Sequence, residues 1–318
     1  MIHTRELTRH FRVKGATVEA VRGIDLDVAK GELVAFLGPN GAGKSTSLRM
    51  LTTLLLPTSG SATVAGCDIV ADPAGVRRRI GFVGQGNGAG FDQRVRDELV
   101  GQGRCYGLTR AEARSRADEL IEILELGGAA DRETRRLSGG QKRRLDIAMG
   151  LIHRPELLFL DEPSTGLDPH SRANLWEHVL RLREEHGTTI VLTTHYLDEA
   201  DSTAERVVVI DDGTIIADGT PDELKGKVSG DLVAFTAATP EAARLGAQAA
   251  GRIAASGSVE VDGSGVRLRV RHGDAVLPEL LRALDTAGVD LLTVQVQRPT
   301  LDDVFLTLTG RSLRESAQ

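Results

Sequence analysis

The sequence predicts an α/β protein built on a parallel β-sheet, followed by a smaller α+β domain. Two apolar runs, LVAFL at Leu33–Leu37 and LLFL at residues 157–160, have the length and composition of strands buried on both faces. A glycine-rich loop and a helical pattern over residues 45–54 follow the first run. After residue 227 the predicted elements take the order βαββαβ, which is typical of a ferredoxin-like domain. The 318 residues, 41% of them hydrophobic, suffice for one large core and a smaller second one.

The glycine-rich loop, GPNGAGKST at residues 38–46, has the Gly-x-x-x-x-Gly-Lys-Ser spacing of a phosphate-binding loop between a strand and a helix. Its glycines let backbone N–H groups surround phosphates, and the helix N-terminus adds partial positive charge. Lys44 neutralises the β and γ phosphates, and the Ser45 hydroxyl can bind Mg²⁺. The sequence therefore predicts bound ATP and Mg²⁺. The predicted nucleotide-binding residues here are Gly38, Pro39, Asn40, Gly41, Ala42, Gly43, Lys44, Ser45 and Thr46.

The second apolar run ends on two carboxylates, Asp161 and Glu162, before Pro163. Side chains at the carboxyl end of such a strand lie near the ligand crevice of an open α/β sheet. We predict that Asp161 holds Mg²⁺ or its water and that Glu162 is the general base for the attacking water. A positioned base contributes about a hundred- to ten-thousandfold in rate.

A second anion site is predicted at LSGGQ, residues 137–141, where Ser138, Gly139 and Gly140 precede a helical stretch over residues 141–151. A hydroxyl, bare backbone amides and a helix N-terminus favour an anion. One nucleotide does not easily engage both this site and the phosphate loop of the same chain. We therefore expect two subunits to associate head to tail, with Ser138, Gly139, Gly140 and Gln141 completing the partner's nucleotide site.

With these motifs in this order, residues 1–227 resemble the ATP-binding-cassette (ABC) family. The resemblance implies a P-loop nucleotide hydrolase core with a helical subdomain at about residues 86–155. It implies that Gln85 contacts Mg²⁺ and the membrane subunit, that Asp168 reaches across the dimer, and that His195 contacts the γ-phosphate. It also implies that Phe11 stacks on adenine, although a Phe at that position is also typical of a core. Together with the residue chemistry, it makes Glu162, His195 and Lys44 the expected catalytic residues.

The remaining pattern of the first domain agrees with a helical subdomain and further strands. Thr109 and Glu112 form a capping box before a helix over residues 110–126, whose Ala117, Leu120, Ile121 and Leu124 share one face. Strands are predicted at residues 190–194 and 207–210, a hairpin turn at 211–213 leading into 215–217, and a helix start within 219–224.

The second domain, residues 228–318, carries no cluster of His, Cys or carboxylates that marks catalysis, so a regulatory or dimerising role is expected. Its predicted strands cover residues 232–236, 258–261, 266–271 and 291–296, and its predicted helices cover residues 240–250 and 275–287.

The tail QRPTLDDVFLTLTG, residues 297–310, resembles the C-terminal motif of daunorubicin-resistance drug-export ATPases, and residues 165–172 and 197–225 reinforce the match. The resemblance implies a homodimer beneath a separately encoded ABC-2-type permease. Residues 300–307 can form an amphipathic helix with Leu301, Val304, Phe305 and Leu308 on one side. Core packing and a signalling role both remain open for that helix.

Composition limits the alternatives. No apolar run approaches the roughly 20 residues that span a bilayer, and the first residues lack a secretion signal, so a location at the cytoplasmic face of the membrane is expected. Cys67 and Cys105 are isolated, and the net charge of −6 argues against nucleic-acid binding. The alternative function is a soluble cassette ATPase acting on ribosomes or nucleic acid, and a nucleotide sensor without turnover is a third. The glycines at 86, 88 and 90 predict a mobile loop after Gln85.

Overall fold

The structure is a computed structural model that describes residues 1–13, 15–227, 230–253, 259–270 and 273–310. It divides into two compact units, the first comprising Met1–Pro221 and the second beginning at Asp222. The start of the second domain predicted at Val228 lies outside the described residues, as do the first residue of the strand predicted at 258–261 and the last of that at 266–271. No helix in the described ranges is both long and apolar enough to cross a membrane.

The first unit alternates strands and helices. Its elements up to the acidic strand are β1 (Ile2–Val13), β2 (Ala16–Val28), β3 (Leu33–Leu37), α1 (Lys44–Leu51), β4 (Ser59–Val64), β5 (Cys67–Asp68), α2 (Pro73–Arg79), β6 (Ile80–Val83), α3 (Val95–Cys105), α4 (Arg110–Ile123), α5 (Gly139–Leu151) and β7 (Leu157–Asp161). These are followed by α6 (Pro169–His186), β8 (Thr189–Thr194), α7 (Leu197–Thr203), β9 (Arg206–Asp211) and β10 (Thr214–Gly219). Helix α8 (Pro221–Gly226) begins at the last residue of this unit and continues into the second.

The central sheet has six strands in the order β10-β9-β3-β8-β7-β6. All neighbours are parallel except β10, which pairs antiparallel with β9 through the predicted hairpin turn. Every residue of β3, β7 and β8 is buried, as expected for strands covered on both faces. Because these strands are parallel, the phosphate loop after β3, the carboxylates ending β7 and His195 after β8 lie at one edge of the sheet. The α/β fold class is therefore confirmed.

A second sheet of the first unit, in the order β2-β1-β4-β5, is antiparallel. It shares a hydrophobic core with the central sheet, in which Ile2, Leu26, Phe36, Leu48 and Phe159 are buried. The helices α3, α4 and α5 form the helical subdomain. The predicted capping box of Thr109 and Glu112 is present, and the apolar face of α4 is buried.

Several boundaries in this unit differ from the prediction. Helix α4 ends at Ile123, short of residue 126, where Glu125 has φ of +50°, and helix α5 begins two residues early, at Gly139. Helix α1 begins at Lys44 and ends at Leu51, short of residue 54, because Thr53 adopts a left-handed backbone with φ of +62°. Strand β7 extends one residue beyond the prediction and includes Asp161.

The second unit has the predicted βαββαβ order. Its elements are β11 (Asp231–Ala237), α9 (Pro240–Ile253), β12 (Val259–Asp262), β13 (Gly265–Val270), α10 (Gly273–Thr286), β14 (Leu291–Gln297) and α11 (Leu301–Thr309). The sheet order β12-β13-β11-β14 is antiparallel throughout, which is the ferredoxin-like arrangement. Both helices α9 and α10 contribute to a core around Phe235, with Ala243, Leu268 and Leu284.

The helix predicted at residues 300–307 is α11, and its apolar side is incompletely buried. Leu301, Val304 and Phe305 are 2%, 3% and 0% exposed, but Leu308 is 48% exposed. Leu308 lies in the last turn of α11, so the packing that buries the first two turns of this side does not extend to it.

Candidate functional site

The phosphate loop joins β3 to α1 and depends on glycine at several positions. Gly41 and Gly43 have φ of +84° and +103°, a region that disfavours other residues. A Cβ atom on Gly38 would lie 2.1 Å from the Ile210 carbonyl oxygen, and one on Gly43 would lie 2.5 Å from the Ala20 carbonyl oxygen. The close approach of neighbouring backbone therefore fixes the loop path that the sequence predicted.

Lys44 lies beneath this loop and is 4% exposed. Its Nζ donates hydrogen bonds to the carbonyl oxygens of Gly38 and Pro39 at 2.7 and 2.9 Å. An ammonium group has three N–H donors, so one remains for a ligand. Burial lowers the pKa of Lys44, and the negative charges of Glu162 and Asp161 oppose that shift. A phosphate beside Lys44 would compensate the buried charge.

A cavity of about 170 Å³ opens above the loop. Its lining is polar and combines the phosphate loop with one residue from each of two neighbouring segments: Asn40, Gly41, Ala42, Gly43, Lys44, Ser45, Thr46, Gln85 and Glu162. Backbone amides, a helix N-terminus and a buried ammonium suit a polyphosphate. The residues of the LSGGQ motif do not line this cavity.

Oxygen atoms suited to Mg²⁺ converge beside the cavity. Asp161 is 1% exposed, and its Oδ1 accepts hydrogen bonds from Ser45 Oγ at 2.8 Å and Thr193 Oγ1 at 2.7 Å. Gln85 Nε2 donates to Ser45 Oγ at 3.3 Å, so the three predicted metal residues lie together. A carboxylate, a hydroxyl and an amide oxygen form a donor set that Mg²⁺ accepts. The site therefore fits the ion.

Glu162 follows β7 in a left-handed backbone conformation with φ of +47°. Such a conformation costs about 1–3 kcal/mol outside glycine and persists where neighbours hold it. The Glu162 amide donates to both Thr193 Oγ1 and the Thr193 carbonyl, at 2.9 and 3.2 Å. Glu162 Oε2 accepts from Thr165 Oγ1 at 3.2 Å and lies 3.4 Å from His195 Nδ1. The turn thus aims the carboxylate into the cavity with His195 at its side.

His195 Nδ1 is buried and makes no hydrogen bond with the described residues. The imidazole ring also contacts Tyr196, with centroids 4.2 Å apart. His195 Nδ1 therefore lies beside the predicted base and is available to bond to a ligand.

The LSGGQ motif forms the N-terminus of α5. Ser138 and Gln141 form a capping box in which Ser138 Oγ accepts from the Gln141 amide at 3.2 Å and Gln141 Oε1 accepts from the Ser138 amide at 3.0 Å. A capping box leaves the N–H groups of the first two helical residues, Gly139 and Gly140, without an intrahelical partner. Ser138 and Gly139 are exposed. The N-terminus of α5 is therefore open to solvent and lies outside the cavity lining of its own chain, and the anion site expected there stays a prediction.

Asp168 is exposed and caps α6, where it accepts hydrogen bonds from the Ser171 amide at 2.9 Å and from Ser171 Oγ at 2.6 Å. These bonds lower the pKa of the Asp168 carboxyl. Phe11 lies in β1 opposite Val18 and is half-buried, with the Arg9 guanidinium 4.7 Å from its ring centroid. Neither residue lines the cavity, and their implied roles at a dimer interface and at adenine stay predictions.

Hydrogen bonds to backbone groups of Gly88 and Gly90 anchor the loop after Gln85. The Gly88 amide donates to Asp146 Oδ1 at 2.9 Å, and the Gly90 amide donates to Glu98 Oε1 at 2.9 Å. Thr134 Oγ1 donates a short hydrogen bond to the Gly90 carbonyl. None of the three glycines in this loop has a positive φ. The loop therefore carries specific anchors that its composition alone does not reveal.

Sequence reasoning missed Thr193 and Glu199. Thr193 binds both Asp161 and Glu162, and its signal was its place two residues before His195 on a fully buried strand. Glu199 is 3% exposed and accepts hydrogen bonds from Ser164 Oγ and from Thr194 Oγ1, the latter at 2.9 Å. It joins the segments that follow β7 and β8. A carboxylate in the first turn of α7 gave no signal of burial.

Comparison with known proteins agrees with this geometry. The model of the ABC transporter family matches residues 21–165, and the model described as the C-terminal domain of DrrA1-3-like ATP-binding proteins matches residues 219–309. The chain is 45% identical to the daunorubicin resistance ATP-binding protein DrrA3 of Streptomyces coeruleorubidus, over 94% of each chain. It is 37% identical to the linearmycin resistance ATP-binding protein LnrL of Bacillus subtilis, over 93% of this chain and 95% of that one.

Among solved structures, a post-hydrolysis dimer of the ATP-binding cassette MJ0796 with ADP and Pi matches with a TM-score of 0.64. It is 27% identical and covers 69% of this chain and 98% of its own. The fold, the site and these similarities define an ATP-hydrolysing cassette. The chain belongs to the ABC transporter family, in the group of the daunorubicin-resistance ATP-binding proteins, and the predicted ATPase activity is confirmed.

Proposed function

We propose that this chain energises export by hydrolysing ATP between two head-to-tail copies of itself, with Glu162 as the general base. The observation that carries the proposal is the placement of the Glu162 carboxylate in the lining of the cavity formed by Lys44 and Ser45. Because the carboxylate lies among phosphate-binding groups, it is positioned to take a proton from a water that attacks the γ-phosphate.

The other residues of the site would bind the triphosphate and Mg²⁺. Lys44 and the phosphate-loop amides bind the triphosphate and stabilise charge on the transferred phosphoryl group. Ser45, Asp161 and Gln85 would hold Mg²⁺, which supplies charge neutralisation at the phosphate oxygens. His195, whose Nδ1 lies 3.4 Å from Glu162 Oε2, would contact the γ-phosphate.

The second nucleotide-binding surface comes from the partner copy. Ser138, Gly139, Gly140 and Gln141 would bind the γ-phosphate held by the other subunit, and Asp168 would lie at the interface. Phe11 would stack on the adenine. This assignment is supported by the exposure of Ser138 and Gly139 and by the absence of the LSGGQ residues from the described cavity lining of their own chain.

The transported class is a bioactive secondary metabolite, and the membrane path is a separate ABC-2-type permease. The support is what similar proteins are named for: daunorubicin resistance, linearmycin resistance, and Nod factor export in a protein of a Rhizobium strain that is 36% identical over 93% of each chain. The chain would then sit at the cytoplasmic face of the membrane, with residues 1–227 as the ATP-binding domain and 228–318 as a regulatory or dimerising domain.

Replacement of Glu162 by Gln tests the catalytic proposal. Turnover is expected to fall at least about a hundredfold, because the amide cannot accept the proton, while ATP binding is unchanged. Steady-state phosphate release and binding of a fluorescent ATP analogue measure the two effects. E184Q, which neutralises an exposed carboxylate of α6, is the matched control. Wild-type turnover in E162Q would remove Glu162 from the role of base.

Purification of the tagged chain from its native membranes with Mg-ATP tests the transport proposal. A co-purifying integral membrane subunit in stoichiometric amount is expected. Recovery of ribosomal or DNA-bound components without a membrane protein would favour the alternative of a soluble cassette ATPase.

A further inference from the structure

Arg143, in the second turn of α5, is 6% exposed and bonds to the backbone on two sides of the site. Its Nε donates to the Pro163 carbonyl at 2.6 Å, and its Nη2 donates to the Asp161 carbonyl at 3.2 Å. These two carbonyls flank Glu162. Arg143 therefore fixes the residues immediately before and after the left-handed turn that carries the predicted base.

The third contact of Arg143 reaches a different segment. Its Nη1 donates to the Gly84 carbonyl at 2.6 Å, one residue before Gln85. Three N–H groups of one rigid guanidinium plane thus join the start of the Gln85 loop to both flanks of Glu162. All three acceptors are backbone oxygens, so the link depends on the path of the chain.

Asp146 adds a second link from the same helix. It lies three residues after Arg143, is 6% exposed, and accepts the Gly88 amide at 2.9 Å. Since residues i and i+3 of a helix are neighbours, the Arg143 and Asp146 side chains emerge on one side of α5. The Gln85 loop, residues 84–90, is therefore attached to α5 at both Gly84 and Gly88.

We infer that Arg143, supported by Asp146, is a positioning residue that couples the Gln85 loop to the conformation of Glu162 within one subunit. The inference rests on the proposed role of Glu162. A shift of residues 84–88 would move the guanidinium and with it the two carbonyls that hold the Glu162 turn. Arg143 lies on the helix that begins at the LSGGQ motif. It therefore links that helix to both the Gln85 loop and the Glu162 turn.

The test replaces Arg143 by Lys in the full-length chain. Lys retains the charge, but a compact ammonium on a flexible stem does not reproduce a planar three-point contact. The turnover number is expected to fall by roughly ten- to a hundredfold through misplacement of Glu162, with the affinity for a fluorescent ATP analogue unchanged. R183K is the matched control, because Arg183 also donates two N–H groups to a backbone carbonyl, that of Gly31, at 3.1 and 2.8 Å. R183K is expected to keep wild-type turnover.

Hydrogen exchange separates positioning from a general loss of stability. In R143K, the amides of residues 84–90 and those of Glu162, Ser164 and Thr165 are expected to exchange faster together, whereas D146A is expected to accelerate exchange in residues 86–90 alone. Wild-type turnover in R143K, or faster exchange spread through the whole domain, would overturn the inference. E162Q measured in parallel separates the two hypotheses. An inactive E162Q beside an active R143K would contradict only the role of Arg143, whereas an active E162Q would contradict the role of Glu162 as the base.

If R143K does not fold, exchange in the wild-type chain tests the same coupling. Residues 84–88 and 162–165 are then expected to open with the same free energy, as one cooperative unit. Independent opening of the two segments would contradict the link.

Discussion

Two helices of this chain begin at motifs that are predicted to bind anions. They differ in whether residues of the same chain form a cavity at the helix N-terminus. Helix α1 begins beneath a loop whose lysine is 4% exposed and whose cavity is lined by residues of the same chain. Helix α5 begins at an exposed serine and glycine that do not line this cavity. The proposed head-to-tail dimer predicts this difference: the first motif would bind nucleotide within one subunit, and the second would bind a nucleotide held by the partner subunit.

Replacement of Lys44 by Ala tests the first half of this comparison and has the largest combined effect, because both ATP binding and turnover are expected to fall. Removal of the buried ammonium weakens ATP binding by roughly 10- to 100-fold, since a hydrogen bond to a charged group contributes about 1.5–3 kcal/mol, and turnover falls with it. Binding of a fluorescent ATP analogue to the dilute protein measures the change. R183K serves again as the control, and retained affinity in K44A would show that the cavity does not bind the phosphates.

Replacement of Ser138 by Arg tests the second half. The large side chain covers the open N-terminus of α5, so turnover is expected to fall about a hundredfold, the lower range for loss of an electrostatic contact to a reacting group. ATP binding to the dilute chain stays unchanged, because Ser138 is not part of the cavity lining. Loss of binding in S138R at low protein concentration would mean that the two motifs serve one site within one chain.

A pair of glycine variants measures how tightly the start of α5 is packed. A Cβ atom on Gly140 would lie 2.9 Å from Ser171 Oγ and 3.1 Å from Ser171 Cβ, while one on Gly139 meets no atom closer than 3.9 Å. G140A is therefore expected to lower the free energy of unfolding by about 1–3 kcal/mol. G139A gains up to about 1 kcal/mol from helix propensity. Urea unfolding compares the two, and equal stabilities would show that Ser171 does not confine Gly140.

Most of this site could be predicted because its chemistry lies in short contiguous motifs. The phosphate loop, the two carboxylates at the end of β7 and the histidine after β8 each lie at the carboxyl end of a buried strand, and parallel strands bring these ends together. The fold class was predictable for the same reason, since runs such as LVAFL and the order βαββαβ are local patterns.

The residues that the sequence did not reveal act over long separations. Thr193 accepts from the Glu162 amide 31 residues away, and Glu199 accepts from the Ser164 hydroxyl 35 residues away. Arg143 donates to a carbonyl 59 residues away. The sequence did contain one signal of a structural role for Arg143. It lies on the same helical face as Ile147 and Leu151, which are buried, and so places a charge on the apolar side of α5. Leu308 shows a second limit of sequence patterns. Periodicity predicts which residues share a face of α11, but it does not predict how far along the helix that face is buried.

The central claim is that the open motif of one chain completes the cavity of another, and the mass of E162Q in solution with ATP tests it most directly. Light scattering should give twice the chain mass for E162Q with ATP and the single mass without it. The double variant E162Q/S138R should remain a monomer in both conditions. A monomeric E162Q at saturating ATP, or an ATP-dependent dimer in the double variant, would contradict the account.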